Sequence, residues 1–110
     1  MDTFRPHLPQ VFAALADPTR LAVVERLTRG PASVGDLSRP FDMAQPSFLK
    51  HLRVLESAGI VRSEKRGRVR TVSLAPEVFE TVESWVRRHR QTWEHRLDEL
   101  GGFLLKDTEK

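Results

Sequence analysis

The chain has no cysteine among its 110 residues. That single absence removes disulfides, thiolate metal sites and cysteine nucleophiles together, and it suits a reducing compartment. No apolar run approaches the ~20 residues that a membrane helix needs. Residues 1–10, MDTFRPHLPQ, lack the apolar core of a secretory leader. These gaps lead to the expectation of a soluble, cytoplasmic protein with no membrane partner. Internal repeats, low-complexity tracts and long linkers are also missing, and the length suits one domain with a modest core. Enzyme signatures are missing too. The four histidines, His7, His51, His89 and His95, are scattered, and neither a Gly-rich phosphate loop nor an HExxH pattern occurs. With no nucleophile and base brought together, neither catalysis nor a cofactor is expected.

What the chain does have is a knot of positive charge. Residues 62–70, RSEKRGRVR, hold five cations against one anion, a net +4, while the whole chain carries only +3. The sequence pI of about 9.9 fits a polyanionic partner, but the clustering says more than the total.

Helical periodicity surrounds this knot. Residues 8–15, LPQVFAAL, read as a short helix. DPTRLAVVERLTRG reads as a second, with Asp17 as N-cap, Pro18 in the first turn, an apolar stripe of Leu21, Val24 and Leu27, and Gly30 as its stop. PASVGDLSRPF is a third, with Ser33 and Asp36 spaced as a capping box and Pro40 at its end. A fourth spans about 44–58, with Pro46 in its first turn and Gly59 as a left-handed C-cap. Then the period shortens. IVRSEK and RVRTVSL read as two strands around Arg66-Gly67. From Pro76 onward helical spacing returns for about 25–30 residues, weakened near Gly101-Gly102. The expected fold is mainly α with a small β-hairpin, in the order α-α-α-α-β-β-α, a winged helix-turn-helix.

On the fourth helix Phe48, Leu52 and Leu55 share one buried face. Lys50, Arg53, Pro46 and Ser57 then point away, with Ser47 and Leu49 on the flanks and Gln45 at the N-terminal tip. Gln bonds adenine bidentately, Lys reaches guanine O6 or N7, and Ser bonds either base or phosphate. His51 lies near the core edge and reads as a structural residue bonded to a backbone carbonyl. Along the second strand, residues 68, 70, 72 and 74 are Arg, Arg, Val and Leu, apolar at the base and cationic at the tip. Charge also protects strand edges from aggregation, but mixed signs would serve for that. Lys65, Arg66, Arg68 and Arg70 are all of one sign, which fits phosphate contact, and Gly67 permits the tight turn between them.

Three segments carry a family resemblance: VFAALADPTRLAVVERL, QPSFLKHLRVLESAGIVRSEKRGRVRTVSL and WVRRHRQTWEHRLDEL. Together they resemble the ArsR family of bacterial winged-helix repressors across about residues 8–105. The resemblance implies one winged-helix domain over 1–110, with 8–16 and 77–105 as dimerisation helices. It implies a homodimer that represses by occupying a palindromic operator on double-stranded DNA, within the nucleoid. Carried onto this sequence, the recognition positions are Gln45, Ser47, Lys50 and Arg53. The wing is Lys65, Arg66, Gly67, Arg68 and Arg70. The stripe on the last helix becomes the dimer interface: Phe79, Val82, Trp85, Val86 and His89, then Trp93, Leu97, Leu100 and Leu104. Leu49 stands where many members have Ser or Thr, which alters the base preference to be expected. The metal-sensing patterns of the family are not met. Cysteine is absent, Arg87 stands two before His89, and Trp93 stands two before His95. His95 with Asp98 or Glu99 is ordinary helical-neighbour spacing, so no metal is expected. A winged helix whose wing binds an acidic protein is the competing reading.

Overall fold

Proline and glycine positions set the element boundaries. The structure, a computed structural model, describes residues 7–108, with side chains up to Gly102. The order is α1 (Leu8–Leu15), α2 (Pro18–Leu27), β1 (Ala32–Ser33), α3 (Val34–Ser38), α4 (Gln45–Ser57), β2 (Val61–Arg66), β3 (Val69–Leu74) and α5 (Pro76–Thr108). Chain contacts divide it into two compact units, one up to Phe79 and one from Glu80 onward. No helix among the described residues is long and apolar enough to cross a membrane.

The caps explain where the helices start. The Asp17 carboxylate accepts the Arg20 backbone N–H at 3.0 Å, closing the first turn of α2. This hydrogen bond, aided by the Arg20 charge, lowers the Asp17 pKa against the opposing effect of burial. Folding therefore favours the ionised carboxylate. Its stabilisation is present above the ordinary aspartate pKa and is lost as pH falls through the lowered value. Ser33 caps α3 by accepting from the Asp36 N–H at 3.1 Å, and the Asp36 carboxylate reaches forward to Arg39 at 2.9 Å.

The end of α4 is equally specific. Ile60 N–H donates to Leu55 C=O and Gly59 N–H to Glu56 C=O, both at 3.0 Å, the hydrogen-bond pair of a Schellman cap. Gly59 has φ of +76°, which glycine adopts without penalty. A Cβ there would meet no atom within 4 Å, so only backbone strain opposes a side chain. Gly59→Ala should cost about 1 kcal/mol or slightly more in a denaturant melt, and Gly59→Asn less. Equal stability of the alanine variant and the parent would contradict the cap.

The sheet has the order β1-β3-β2, all antiparallel. Ala32 lies opposite Val72, and Val61, Ser63 and Lys65 lie opposite Leu74, Val72 and Arg70. The two-residue β1 was not visible to periodicity, since two residues define no period. The hairpin turn consists of Gly67 and Arg68, between the paired Arg66 and Val69. Gly67 has φ of +63° and no non-glycine residue among those described has positive φ, the pattern of a type II′ turn. Arg68 thus sits in the turn, one step beyond the strand face expected for it.

The core belongs to the first unit. Phe48, Leu52 and Leu55 of α4 are buried together with Val11, Val23, Leu27, Leu37, Ile60, Val61 and Val72. Phe41, from the turn before α4, packs its ring 5.6 Å from that of Phe48. The α2 stripe is displaced from its expected line. Val23 is buried with Val24 and Leu27, whereas Leu21 is exposed. An N-cap fixes where a helix starts, but its rotation is set by what packs against it. Helix α5 runs through Gly101-Gly102 to Thr108. Two glycines cost about 1 kcal/mol each relative to alanine, and this did not end the helix. The order α3, turn, α4, hairpin is that of a winged helix-turn-helix.

Candidate nucleic-acid interface

Helix α4 displays its polar residues on a broad outer surface. Gln45, Ser47, Lys50 and Arg53 are all exposed, and Leu49 is half-buried. Gln45, Leu49 and Arg53 recur every four residues and form one stripe. This stripe borders the wing, and Arg53 at its end also lines a cleft with Gln10, Ala13, Ala14 and Arg20. Gln45 and Leu49 line a groove with Ser33, Val34 and Gly35 on one side and Arg68, Val69 and Arg70 on the other. Leu49 and Arg53 line a second cleft with Glu56, Ser63, Arg70 and the apolar Leu52, Val61 and Val72. Lys50 lies farther round and points outward, and Ser47 is on the opposite flank. The four expected readers are therefore split between a wing-side stripe and the outer surface.

The wing cations differ in their freedom. Arg62 is ion-paired with Glu77. Arg66 makes a loose pair with Glu64 at 3.4 Å and stays highly exposed, a contact of little worth in water. Lys65 and Arg68 have no carboxylate partner among the described residues, and the same holds for Lys50 and Arg53 on α4. Arg70 donates to Ser63 Oγ at 3.1 Å, and Ser63 donates to Glu56 Oε2 at 3.2 Å. On α5, by contrast, Arg87 pairs with Glu83 and Arg90 with Glu94, both at 3.2 Å. Cations left free on the wing and on α4 keep their charge for an outside anion. Arg29, Arg88 and Arg96 also have no carboxylate partner among the described residues, but they are scattered along the sequence.

Two contacts were not legible beforehand. His51 is half-buried as expected, but its partner is a side chain. Arg20 Nη1 donates to His51 Nδ1 at 3.0 Å while Arg20 Nε donates to Ala14 C=O at 2.7 Å. Arginine only donates, so Nδ1 accepts. The Asp17 carboxylate lies 3.7 Å from the same nitrogen, beyond hydrogen-bond reach. One arginine thereby links α1, α2 and α4. The Glu56–Ser63–Arg70 chain likewise ties the hairpin to α4. Neither Glu56 nor Ser63 stood out in the sequence, because their spacing of seven residues spans a change of element.

On α5, Val82 and Trp85 are half-buried, and Phe79, Val86, His89, Trp93, Leu97 and Leu100 are exposed. Trp85 and His89 stack with ring centroids 4.6 Å apart. The Leu104 side chain lies outside the described residues. His95 Nε2 contacts Glu99 at 2.7 Å. No group of three or more metal-ligating side chains gathers among the described residues.

A helix-turn-helix domain family matches residues 15–64. The HTH-type transcriptional regulator Rv2034 of Mycobacterium tuberculosis is 41% identical over 76 residues, covering 69% of this chain and 70% of that protein. The transcriptional repressor SdpR of Bacillus subtilis is 30% identical over 76 residues, covering 69% and 84%. Among solved structures, the ArsR family transcriptional regulator RHA00566 superposes with a TM-score of 0.76 at 53% identity. The match covers 79% of this chain and 96% of that one.

Proposed function

We propose that this chain, which belongs to the ArsR family of helix-turn-helix transcriptional regulators, is a homodimeric repressor that binds a palindromic operator. That membership and the exposure of α4 and the wing support the following roles. Helix α4 enters the major groove, and Gln45, Ser47 and Lys50 meet base edges. Lys65, Arg66, Arg68 and Arg70 hold the phosphate backbone, with Gly67 shaping the turn between them. Two copies joined along α5 present two recognition helices to major grooves about 34–36 Å apart. Repression needs only that the dimer cover a promoter, so no catalytic group is required. The observation that carries this reading is the gathering of carboxylate-free cations on the wing and on the outer surface of α4.

The test is binding to duplexes selected from genomic fragments, compared with random duplex across a salt series. A discrete protected site, bound about 10³-fold or more tightly than random DNA, is expected. Uniform binding to all duplexes would favour a wing that recognises acidic surfaces in general, including proteins. Arg68→Ala should weaken binding to every duplex alike and flatten the salt slope by about 0.9. Gln45→Ala and Lys50→Ala should each relax preference at one base position, by about 1–3 kcal/mol. A uniform loss from the latter two would remove them from base reading.

A further inference from the structure

We infer that Arg53 of α4 and Arg70 of β3 grip a single DNA phosphate between them, and that Ser63 and Glu56 are the positioning residues for Arg70. This rests on the DNA-binding reading above and divides its contacts further. The hairpin register sets up the problem. Arg70 lies directly opposite Lys65, and like charges in that position repel. Left alone, the two side chains would splay apart past the end of the sheet. Arg70 instead turns back along its own face. It donates to Ser63 at 3.1 Å, and Ser63 passes the chain on to Glu56 of α4 at 3.2 Å.

This return brings Arg70 into the cleft that Arg53 also lines. Arg53 has no carboxylate partner among the described residues, and Glu56 is engaged by the Ser63 hydroxyl. With Glu56 at the same cleft, two arginines thus line it beside the recognition helix. Each presents a planar fork of donors suited to bidentate phosphate recognition. An anion placed between them would be attracted by both forks, against a partial opposing charge from Glu56, which the Ser63 hydroxyl holds. Arg53 belongs to the wing-side stripe of α4, away from the outward-pointing Lys50, so a backbone contact suits it better than a base contact.

Counterion release counts phosphates rather than arginines, which gives the clamp a distinctive signature. Arg53→Ala and Arg70→Ala should each change the salt slope by much less than 0.9, since the remaining arginine still neutralises the shared phosphate. The double variant should lose about 0.9 in total. A double loss of about 1.8, from two single losses of about 0.9, would mean two separate phosphates and overturn the clamp. Loss of discrimination at one base position in Arg53→Ala, with the slope intact, would overturn it as well.

Positioning is tested through Ser63. Ser63→Ala, which leaves every charge in place, should weaken operator binding about two- to tenfold, as expected for one modest hydrogen bond. Ser63→Thr, which keeps the hydroxyl, should restore it. In the Ser63→Ala background the further change Arg70→Ala should cost less than it does in the parent chain. Full additivity with unchanged thermal melts would remove Ser63 from the mechanism. A parent chain whose duplex binding has no salt slope would overturn DNA binding itself. Additive slopes in a salt-sensitive parent would overturn only the shared phosphate.

Discussion

Phe48→Ala is expected to lower the unfolding free energy of the first unit by about 3–5 kcal/mol, the usual cost of emptying a buried phenylalanine site. Phe48 has 0% of its surface exposed, and Phe41 stacks on it from the turn that precedes α4. Truncation removes the apolar contacts and leaves a cavity that the surrounding helices fill only in part. Domains of this size hold about 5–15 kcal/mol in total, so the loss would consume a large share. The expected fall in melting temperature is about 4–8 °C for each kcal/mol lost. DNA binding should fail at temperatures where the parent chain still binds, because Phe48 sits on the helix that carries Gln45, Lys50 and Arg53. Thermal melts followed by circular dichroism check this, with Lys50→Ala as a control on the same helix. The control should shift stability by about 0.5 kcal/mol or less. A Phe48→Ala loss no larger than that of the control would mean the helix is not anchored where the structure has it.

The second large effect concerns α5. Trp93→Asp combined with Leu97→Asp is expected to convert the proposed dimer into a monomer and to weaken operator binding about 10²-fold or more. Trp93, Leu97 and Leu100 are 63%, 44% and 54% exposed. Single exposed apolar residues are ordinary on a protein surface. Here they recur with Val86 at spacings of seven, four and three, a spacing that suits packing against another helix. The ion pairs along α5 are solvent-exposed neighbours one turn apart, each worth about 0.3–0.5 kcal/mol. Such pairs do not hold a long helix by themselves, since helices in water draw most of their stability from packing. A second copy of α5 would supply that packing. Joining two DNA-binding units makes the second contact intramolecular, which raises affinity by about 10²–10⁴, and the aspartates would remove this gain. Analytical ultracentrifugation reads the mass, and titration of the operator reads the affinity. A double variant that sediments as the parent does would take the interface away from this stripe.

Much of the fold was legible because the information is local. Asp17, Ser33 and Gly59 each act within a few residues, and each works as its position suggests. The shift from helical to alternating period located the hairpin, and the spacing of Phe48, Leu52 and Leu55 identified the inward face of α4. Family membership was legible for the same reason, since its signature lies in one continuous stretch through α4 and the wing. Errors arose where a neighbour distant in sequence decides the outcome. Leu21 and Val23 compete for the inward face of α2, and only the packing of α2 selects Val23. Arg68 looked like a strand residue, but the pairing of Arg66 with Val69 leaves it in the turn. His51 met Arg20, which lies 31 positions earlier.

The sequence alone determined that the chain folds as a winged helix-turn-helix and that its positive excess gathers at one hairpin. Those properties come from periodicity, caps and composition, which operate over a few residues. Tertiary structure alone decided how the charge is divided. Arg62 is spent on Glu77, Lys65 and Arg68 are left free, and Arg70 is drawn back through Ser63 toward α4. The reason is that a side chain's partners depend on which elements meet. In this chain the hairpin register and the seat of α4 on the core bring Arg53 and Arg70 to one cleft.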